Sequence, residues 1–226
     1  MAEPCIRESN PFSVLTPEEV ESLTLAKSIE TFARGKYLFE AGESVRGIYC
    51  LSKGTVKITQ KANRGRDLTL RFAAAGDWVG HRSIFTSDTF RGSAVAKEST
   101  QACFVPTETL FKFFASNRMF AHQLVRMIAR DLERTERKLL EYQNLNVASR
   151  LISMFRTLDE KFGMKSEAGR HLSIRLSKVE IAELIGASEE VVSRQLSKWK
   201  TESLLRENGK TFFLSDRLLE RVIREQ

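Results

Sequence analysis

The sequence predicts an α+β protein with three parts: an N-terminal antiparallel β-roll or jelly roll, one long helix, and a C-terminal winged helix-turn-helix. Three observations carry this. Residues 29–106 have glycines at 35, 42, 47, 54, 65, 76, 80 and 92, with short strand-like runs between them. Residues 117–143 contain neither Gly nor Pro and are rich in strong helix formers. Residues 177–200 read as two short helices joined by a tight turn, and a hairpin signal follows them closely.

Taken in order, Thr16-Pro17-Glu18-Glu19 starts a helix, with Pro at its first position and acids in its first turn. Val20, Leu23 and Leu25 are expected to pack it down as a short lid. The clearest strands are residues 37–39, 47–51, 55–59, 68–72 and 102–105. In them Val56 and Ile58, then Leu68, Leu70 and Phe72, alternate with polar residues as half-buried strands do. Asn63-Arg64-Gly65 is a turn signal between two of these runs. Short strands at close, turn-punctuated spacing argue for an antiparallel barrel or jelly roll.

On the long helix, Val125, Ile128, Leu132, Thr135, Leu139 and Tyr142 follow the alternating three–four spacing of a coiled-coil seam. Phe120, Leu124 and Met127 lie on an adjacent face. Two apolar stripes imply two partners: the helix's own domain, and the same helix of a second copy. Asn144-Leu-Asn146 interrupts the pattern, placing a hinge there, and Asn146 can cap a helix running to about Phe162. The expected division is a sensor domain over 1–116, a dimerisation helix and hinge over 117–145, and a winged helix-turn-helix over 146–226. Residues 163–169 read as a loop, 171–176 as a strand, and 217–226 as a final helix capped by Ser215-Asp216.

Ser177 with Glu180 is a capping box. Ile181, Ala182, Leu184 and Ile185 supply an apolar face, and Gly186 stands where a left-handed residue stops a helix. Ser188 caps the next helix, whose Val192, Leu196 and Trp199 form a buried stripe. Glu190, Ser193, Arg194 and Lys198 fall off that stripe. An arginine can donate two bonds to guanine and a glutamate can accept one from cytosine, which is the chemistry of major-groove reading. A Glu190–Arg194 pair on a solvated helix is the plainer alternative for those two residues alone. With the caps, the glycine turn and the hairpin at Asn208-Gly209, double-stranded DNA is the better partner. The predicted contact set is Ser188, Glu189, Glu190, Ser193, Arg194 and Lys198, with Lys210 at the wing tip on phosphate.

The chain carries 36 Lys plus Arg against 29 Asp plus Glu, a net of +7. That favours a polyanionic partner without locating it. Residues 147–226 hold 15 basic against 12 acidic side chains, so the motif, not the charge, marks the DNA-binding end. No apolar run of about 18 residues is present, so no membrane span is expected. The N-terminus lacks a signal-peptide apolar region, so the expected location is cytoplasmic. Cys5, Cys50 and Cys103 are too widely spaced for a metal or redox pair. Cys50 and Cys103 read as small buried hydrophobes and Cys5 as part of a tail. His81, His122 and His171 show no metal-ligand spacing, so no metal is expected. No nucleophile–base pair or P-loop is visible, so no enzyme is expected.

These features together resemble the Crp/Fnr superfamily of bacterial transcription regulators, from about Phe12 to Leu214. The most specific parts are residues 180–194, Gly54-Thr-Val-Lys57, Gly76-Asp-Trp-Val-Gly80 and Glu207-Asn-Gly-Lys210. The resemblance implies a cyclic-nucleotide-binding-like roll, a homodimer, and base reading by Glu190, Ser193 and Arg194. Glu-x-x-Ser-Arg matches the Fnr branch, which implies a TTGA-type inverted repeat with half-sites one helical turn apart. RNA polymerase is the implied protein partner, although no surface pattern for it is legible.

The sensing end departs from the family pattern. The effector-pocket positions fall on Gly80, His81, Arg82, Ser83, Arg91, Ser93 and Ala94, with Thr135 and Glu136 from the long helix. His81 stands where cAMP binders place a ribose-binding carboxylate, and the arginine is displaced to Arg91. Glu136 stands where a small hydroxyl residue belongs and would repel a phosphodiester. cAMP is therefore not the expected effector. An Fnr-type iron–sulfur cluster needs several N-terminal cysteines, and only Cys5 is there. His81 is a candidate axial ligand for haem, but a lone histidine is more often structural. Another anion held by the 80–83 turn and Arg91, or no effector at all, stays open. A competing reading is a ligand-binding module whose winged helix contacts protein instead of DNA.

Overall fold

Turn residues every few positions make short strands, and short strands pair into small sheets. A computed structural model of the chain describes residues 6, 10–62, 67–167 and 169–221. Cys5, the Asn63-Arg64-Gly65 turn, and the predicted helix past 221 lie outside the described residues. The chain divides into two units, Met1–Glu133 and Arg134–Gln226.

In the first unit, a 3₁₀ turn at Pro11–Val14 leads to helix α1, Pro17–Ala26. Thr16 and Glu19 close a reciprocal capping box, with the Thr16 N–H donating to the Glu19 carboxylate at 3.0 Å. Leu23 is fully buried, but Leu25 is 83% exposed, because two residues on is the opposite face of a helix. Leu25 therefore does not seat α1 as expected.

Eight strands follow: β1 Ser28–Phe32, β2 Tyr37–Phe39, β3 Gly47–Lys53, β4 Thr55–Lys61, β5 Asp67–Ala74, β6 Trp78–Val79, β7 Ser93–Ala96 and β8 Thr100–Pro106. They form two antiparallel sheets, β1-β8-β3-β6 and β2-β7-β4-β5. Leu38, Leu51, Val56, Ile58, Val79, Ala94 and Ala102 come from both sheets into one apolar cluster. Strand β3 is covered on both faces. Tyr49 and Leu51 turn to that cluster, while Ile48 and Cys50 turn to a second one containing Phe12, Leu23, Trp78, Phe113, Phe120 and Leu124. At the β3–β4 turn Gly54 has φ +89°, and a Cβ there would lie 2.6–2.8 Å from Ser99 and Thr100, so both conformation and space require glycine. Cys50 is a buried thiol whose Sγ accepts from the Asn10 side-chain amide at 3.7 Å. Cys103 is disulfide-bonded, which corrects its reading as a plain buried thiol: sequence spacing does not show which thiols meet in space.

Helix α2, Thr107–Ser116, follows β8 directly and buries Leu110 and Phe113. Helix α3, Arg118–Asn144, starts where Asn117 accepts from the Phe120 N–H at 2.9 Å. Phe120 and Leu124 are buried in the second cluster, with Met127 and Ile128 packed at its edge. The division between the units falls within α3.

In the second unit, α4 (Val147–Phe162) is capped by Asn146, which accepts from the Ser149 N–H at 2.9 Å. Then come β9 Gly163–Ser166, β10 Gly169–Leu172, α5 Lys178–Ile185, α6 Glu189–Thr201, β11 Leu205–Asn208, β12 Thr211–Leu214 and a short α7, Asp216–Leu219. The sheet order is β11-β12-β10-β9. Where a loop was expected over 163–169, residues 163–166 form strand β9 and Gly169 opens β10, because the two strands pair in a ladder, and residue 168 lies outside the described residues. The strand expected over 171–176 stops at Leu172. Ile174 and Leu176 stay buried at alternate positions, and the Leu176 N–H donates to the Lys210 carbonyl at 2.9 Å.

Trp199 centres this core, fully buried with its ring 6.4 Å from that of Phe155. Trp199→Ala is expected to destabilise this unit by about 3–5 kcal/mol in urea denaturation. Trp199→Phe should lose much less, since the buried Nε1 has no hydrogen-bond partner among the described residues. Equal losses would show that the indole edge, not its bulk, matters.

Candidate nucleic-acid interface

Helix α5 begins with the predicted box. The Ser177 hydroxyl oxygen accepts from the Glu180 N–H at 3.2 Å, and the Glu180 carboxylate accepts from the Ser177 N–H at 2.9 Å. It ends at Gly186, φ +63° and ψ 48°, with the Ala187 N–H donating back to the Ala182 carbonyl. The last carbonyls of α5 find side chains. The Tyr142 hydroxyl donates to the Leu184 carbonyl at 2.7 Å, and the Arg150 guanidinium donates to the Ile185 carbonyl at 2.9 Å. Burial pushes the Tyr142 phenol up to about 12, so it stays a donor at neutral pH.

Ser188 accepts from the Val191 N–H at 3.3 Å and starts α6. Val192, Leu196 and Trp199 are fully buried, which fixes the opposite face outward. Ser188, Glu189, Glu190, Arg194 and Lys198 are exposed, and Ser193 is half-buried between them. Among the described residues the Glu190 and Arg194 side chains make no hydrogen bond or ion pair, so the plain i, i+4 pair is not formed. Both remain open to a ligand. Lys178, which sequence reasoning passed over, donates from Nζ to Ser193 Oγ at 3.3 Å. Arg150 was missed too, since nothing in the sequence shows it meeting a glycine turn 36 residues on. The wing is β11 and β12, joined at Asn208-Gly209 with Gly209 at φ +61°. Lys210 at its tip is exposed.

In the first unit, Gly80 has φ +86° beside the Phe90 ring, and the Ser83 N–H donates to the Gly80 carbonyl at 3.1 Å. Arg82 and Arg91 are exposed, and Ala94 is buried in β7. Ser93 is buried, its Oγ accepting from the Ala41 N–H at 3.0 Å. His81 is 3% exposed, with its Nε2 3.0 Å from an Asp131 carboxylate oxygen of α3. Burial pushes the Asp131 carboxyl up, but the His81 hydrogen bond and the charges of Arg71 and Arg82 outweigh it and hold the pKa below its ordinary value.

A depressed carboxylate pKa stabilises the fold above about pH 4 and loses that contribution as pH falls through the depressed value. Asp131→Asn is expected to flatten the acid limb of a pH–stability profile and to cost roughly 1–3 kcal/mol near neutrality. An unchanged profile would remove Asp131 from the account. Thr135 and Glu136 lie on the part of α3 in the second unit and are exposed.

Along α3, Val125, Leu132 and Leu139 are 56%, 59% and 56% exposed, one heptad apart. Ile128 packs at the edge of its own unit's core, and the Tyr142 hydroxyl donates to the Leu184 carbonyl of α5. No helix among the described residues is long and apolar enough to cross a membrane.

An antiparallel β-roll, a long helix and a winged helix-turn-helix with an uncommitted polar face define a DNA-binding transcription regulator. Residues 29–117 match the cyclic nucleotide-binding domain family, and residues 147–220 match the Crp-like helix-turn-helix domain family. The chain is 30% identical over 201 residues to the global nitrogen regulator of Synechococcus elongatus, covering 87% of this chain and 90% of that one. It is 29% identical over 205 residues to the CRP-like cAMP-activated global transcriptional regulator of Mycobacterium tuberculosis, covering 91% and 92%. The chain belongs to the Crp/Fnr superfamily of transcription regulators. A solved structure of the c-di-GMP responsive global regulator of Xanthomonas campestris shares the fold, with a TM-score of 0.74 at 23% identity over 88% of this chain and 99% of that one.

Proposed function

We propose that this regulator acts as a homodimer that reads a TTGA-type inverted repeat through α6 and does so without cAMP. The observation that carries the reading is the pair Glu190 and Arg194, exposed and uncommitted one turn apart on α6 with Ser193 between them. Their donors and acceptors match base edges in the major groove, and Lys210 on the wing suits a phosphate. In this reading residues 1–116 are the sensor, 117–145 the dimerisation helix and hinge, and 146–226 the DNA-binding domain. RNA polymerase is the protein partner and the cytoplasm the location.

The mycobacterial relative is cAMP-activated by name. Here the ribose-carboxylate position is filled by buried His81, Ser93 Oγ already serves Ala41, and Arg91 is exposed. These residues do not fit a cyclic nucleotide. His81 has Nε2 committed to Asp131, while its buried Nδ1 has no hydrogen-bond partner among the described residues.

The test is fluorescence anisotropy with a TTGAT-N4-ATCAA duplex and a scrambled one, with and without cAMP. Selective binding without cAMP is expected, weakening steeply with salt as phosphate contacts release counterions. Binding only with cAMP would overturn the effector reading. No selectivity in either condition would favour a protein partner for the winged helix.

A further inference from the structure

A serine on a recognition helix is an ambiguous reader, since its hydroxyl can donate to one base edge or accept from another. In this chain a neighbour restricts the choice. Lys178 is the first residue of α5, the positive end of that helix's dipole and a disfavoured place for a cation. Glu180, in the same turn, is given to the Ser177 cap. Among the described residues the one side-chain partner of Lys178 is Ser193 on α6, 3.3 Å away. An ammonium only donates, so Ser193 Oγ is the acceptor in this contact and its own O–H proton is left to donate. The positive charge alongside also disfavours an approaching amino group.

We propose that Lys178 is a specificity-determining residue that acts through Ser193. It occupies one of the two lone pairs of the hydroxyl and biases its O–H to donate toward a base-edge acceptor, thymine O4 or guanine O6. It selects against the exocyclic amines of cytosine and adenine. The inference rests on α6 entering the major groove.

The test compares wild type, Lys178→Met, Lys178→Arg, Ser193→Ala and the Met/Ala double variant. Each is used to select bound duplexes from a randomised pool, and single-base-pair variants of the enriched site are then titrated at two salt concentrations. Lys178→Met and Ser193→Ala are each expected to relax preference at the same base pair of each half-site by about three- to tenfold. Other positions should be unchanged, the double variant should lose no more than either single one, and Lys178→Arg should keep the preference. Thermal unfolding identical to wild type shows that the variants are folded.

If Lys178→Met weakens every duplex alike and lowers the salt slope by about one, the lysine contacts phosphate and the proposal fails. If Lys178→Met matches wild type, it also fails. These outcomes leave base reading intact, provided Arg194→Ala destroys enrichment. If wild type enriches no sequence, base reading by α6 fails and the Lys178 proposal falls with it.

Discussion

Arg194→Ala is expected to abolish sequence-selective duplex binding while the fold and association state stay as they are. The side chain is exposed and makes no hydrogen bond or ion pair with a described residue, so its removal orphans no polar partner. A bidentate arginine–guanine contact discriminates by about 1–3 kcal/mol, and a two-fold site would use it twice, so selectivity should fall by roughly 30-fold to 10⁴-fold. Non-specific, salt-sensitive binding should survive, because phosphate contacts do not depend on this residue. Titration of matched and scrambled duplexes reads both at once. Retained preference for the matched duplex would move base reading to another element.

Charges placed in the exposed stripe of α3 should have an effect of similar size on assembly. Leu132 and Leu139 are 59% and 56% exposed within their own chain, which is costly for large apolar side chains that nothing covers. If a second copy covers them, Leu132→Glu with Leu139→Glu removes four leucines from the seam and puts four carboxylates there. At about 1.5–3 kcal/mol per buried leucine, association should weaken by at least roughly 10⁴-fold. Sedimentation velocity is expected to show monomers, with operator binding lost as a consequence. A dimer unchanged in size would mean that copies associate through some other surface.

The sequence exposed some levels of this structure and hid others, for physical reasons. The caps at Ser177, Ser188 and Asn146, and the stop at Gly186, are local chemistry, and each appears where the residues require it. The main strands were visible because a half-buried strand alternates over a few residues. Helix α2 was not, since Leu110 and Phe113 point inward while Phe111 and Phe114, equally apolar, are exposed and blur the period. Strand β7 is four small residues, and Ser93 and Ala94 drew attention as ligand positions instead.

Contacts far apart in sequence were out of reach. His81 and Asp131 meet across 50 positions, and the lone histidine gave no sign of its partner. The coiled-coil period groups Ile128 and Tyr142 with Val125, Leu132 and Leu139, and a period says which residues share a stripe, not which chain covers it. The Lys178–Ser193 contact was hidden for a similar reason: 15 residues and a turn separate them, and only the crossing of α5 and α6 brings them together.

The carbonyl bonds that Tyr142 and Arg150 make to the end of α5 have a practical consequence for dissecting the protein. The support of the helix-turn-helix does not start at the hinge. Its turn is lidded by the last turn of α3, where Tyr142 holds the Leu184 carbonyl and Glu141 accepts from the Ser153 hydroxyl. A fragment cut at Val147 would leave the lid behind and open that turn to water, whereas one cut at Arg134 would carry it along. The smallest piece that keeps this turn as the whole protein holds it therefore includes a stub of the long helix.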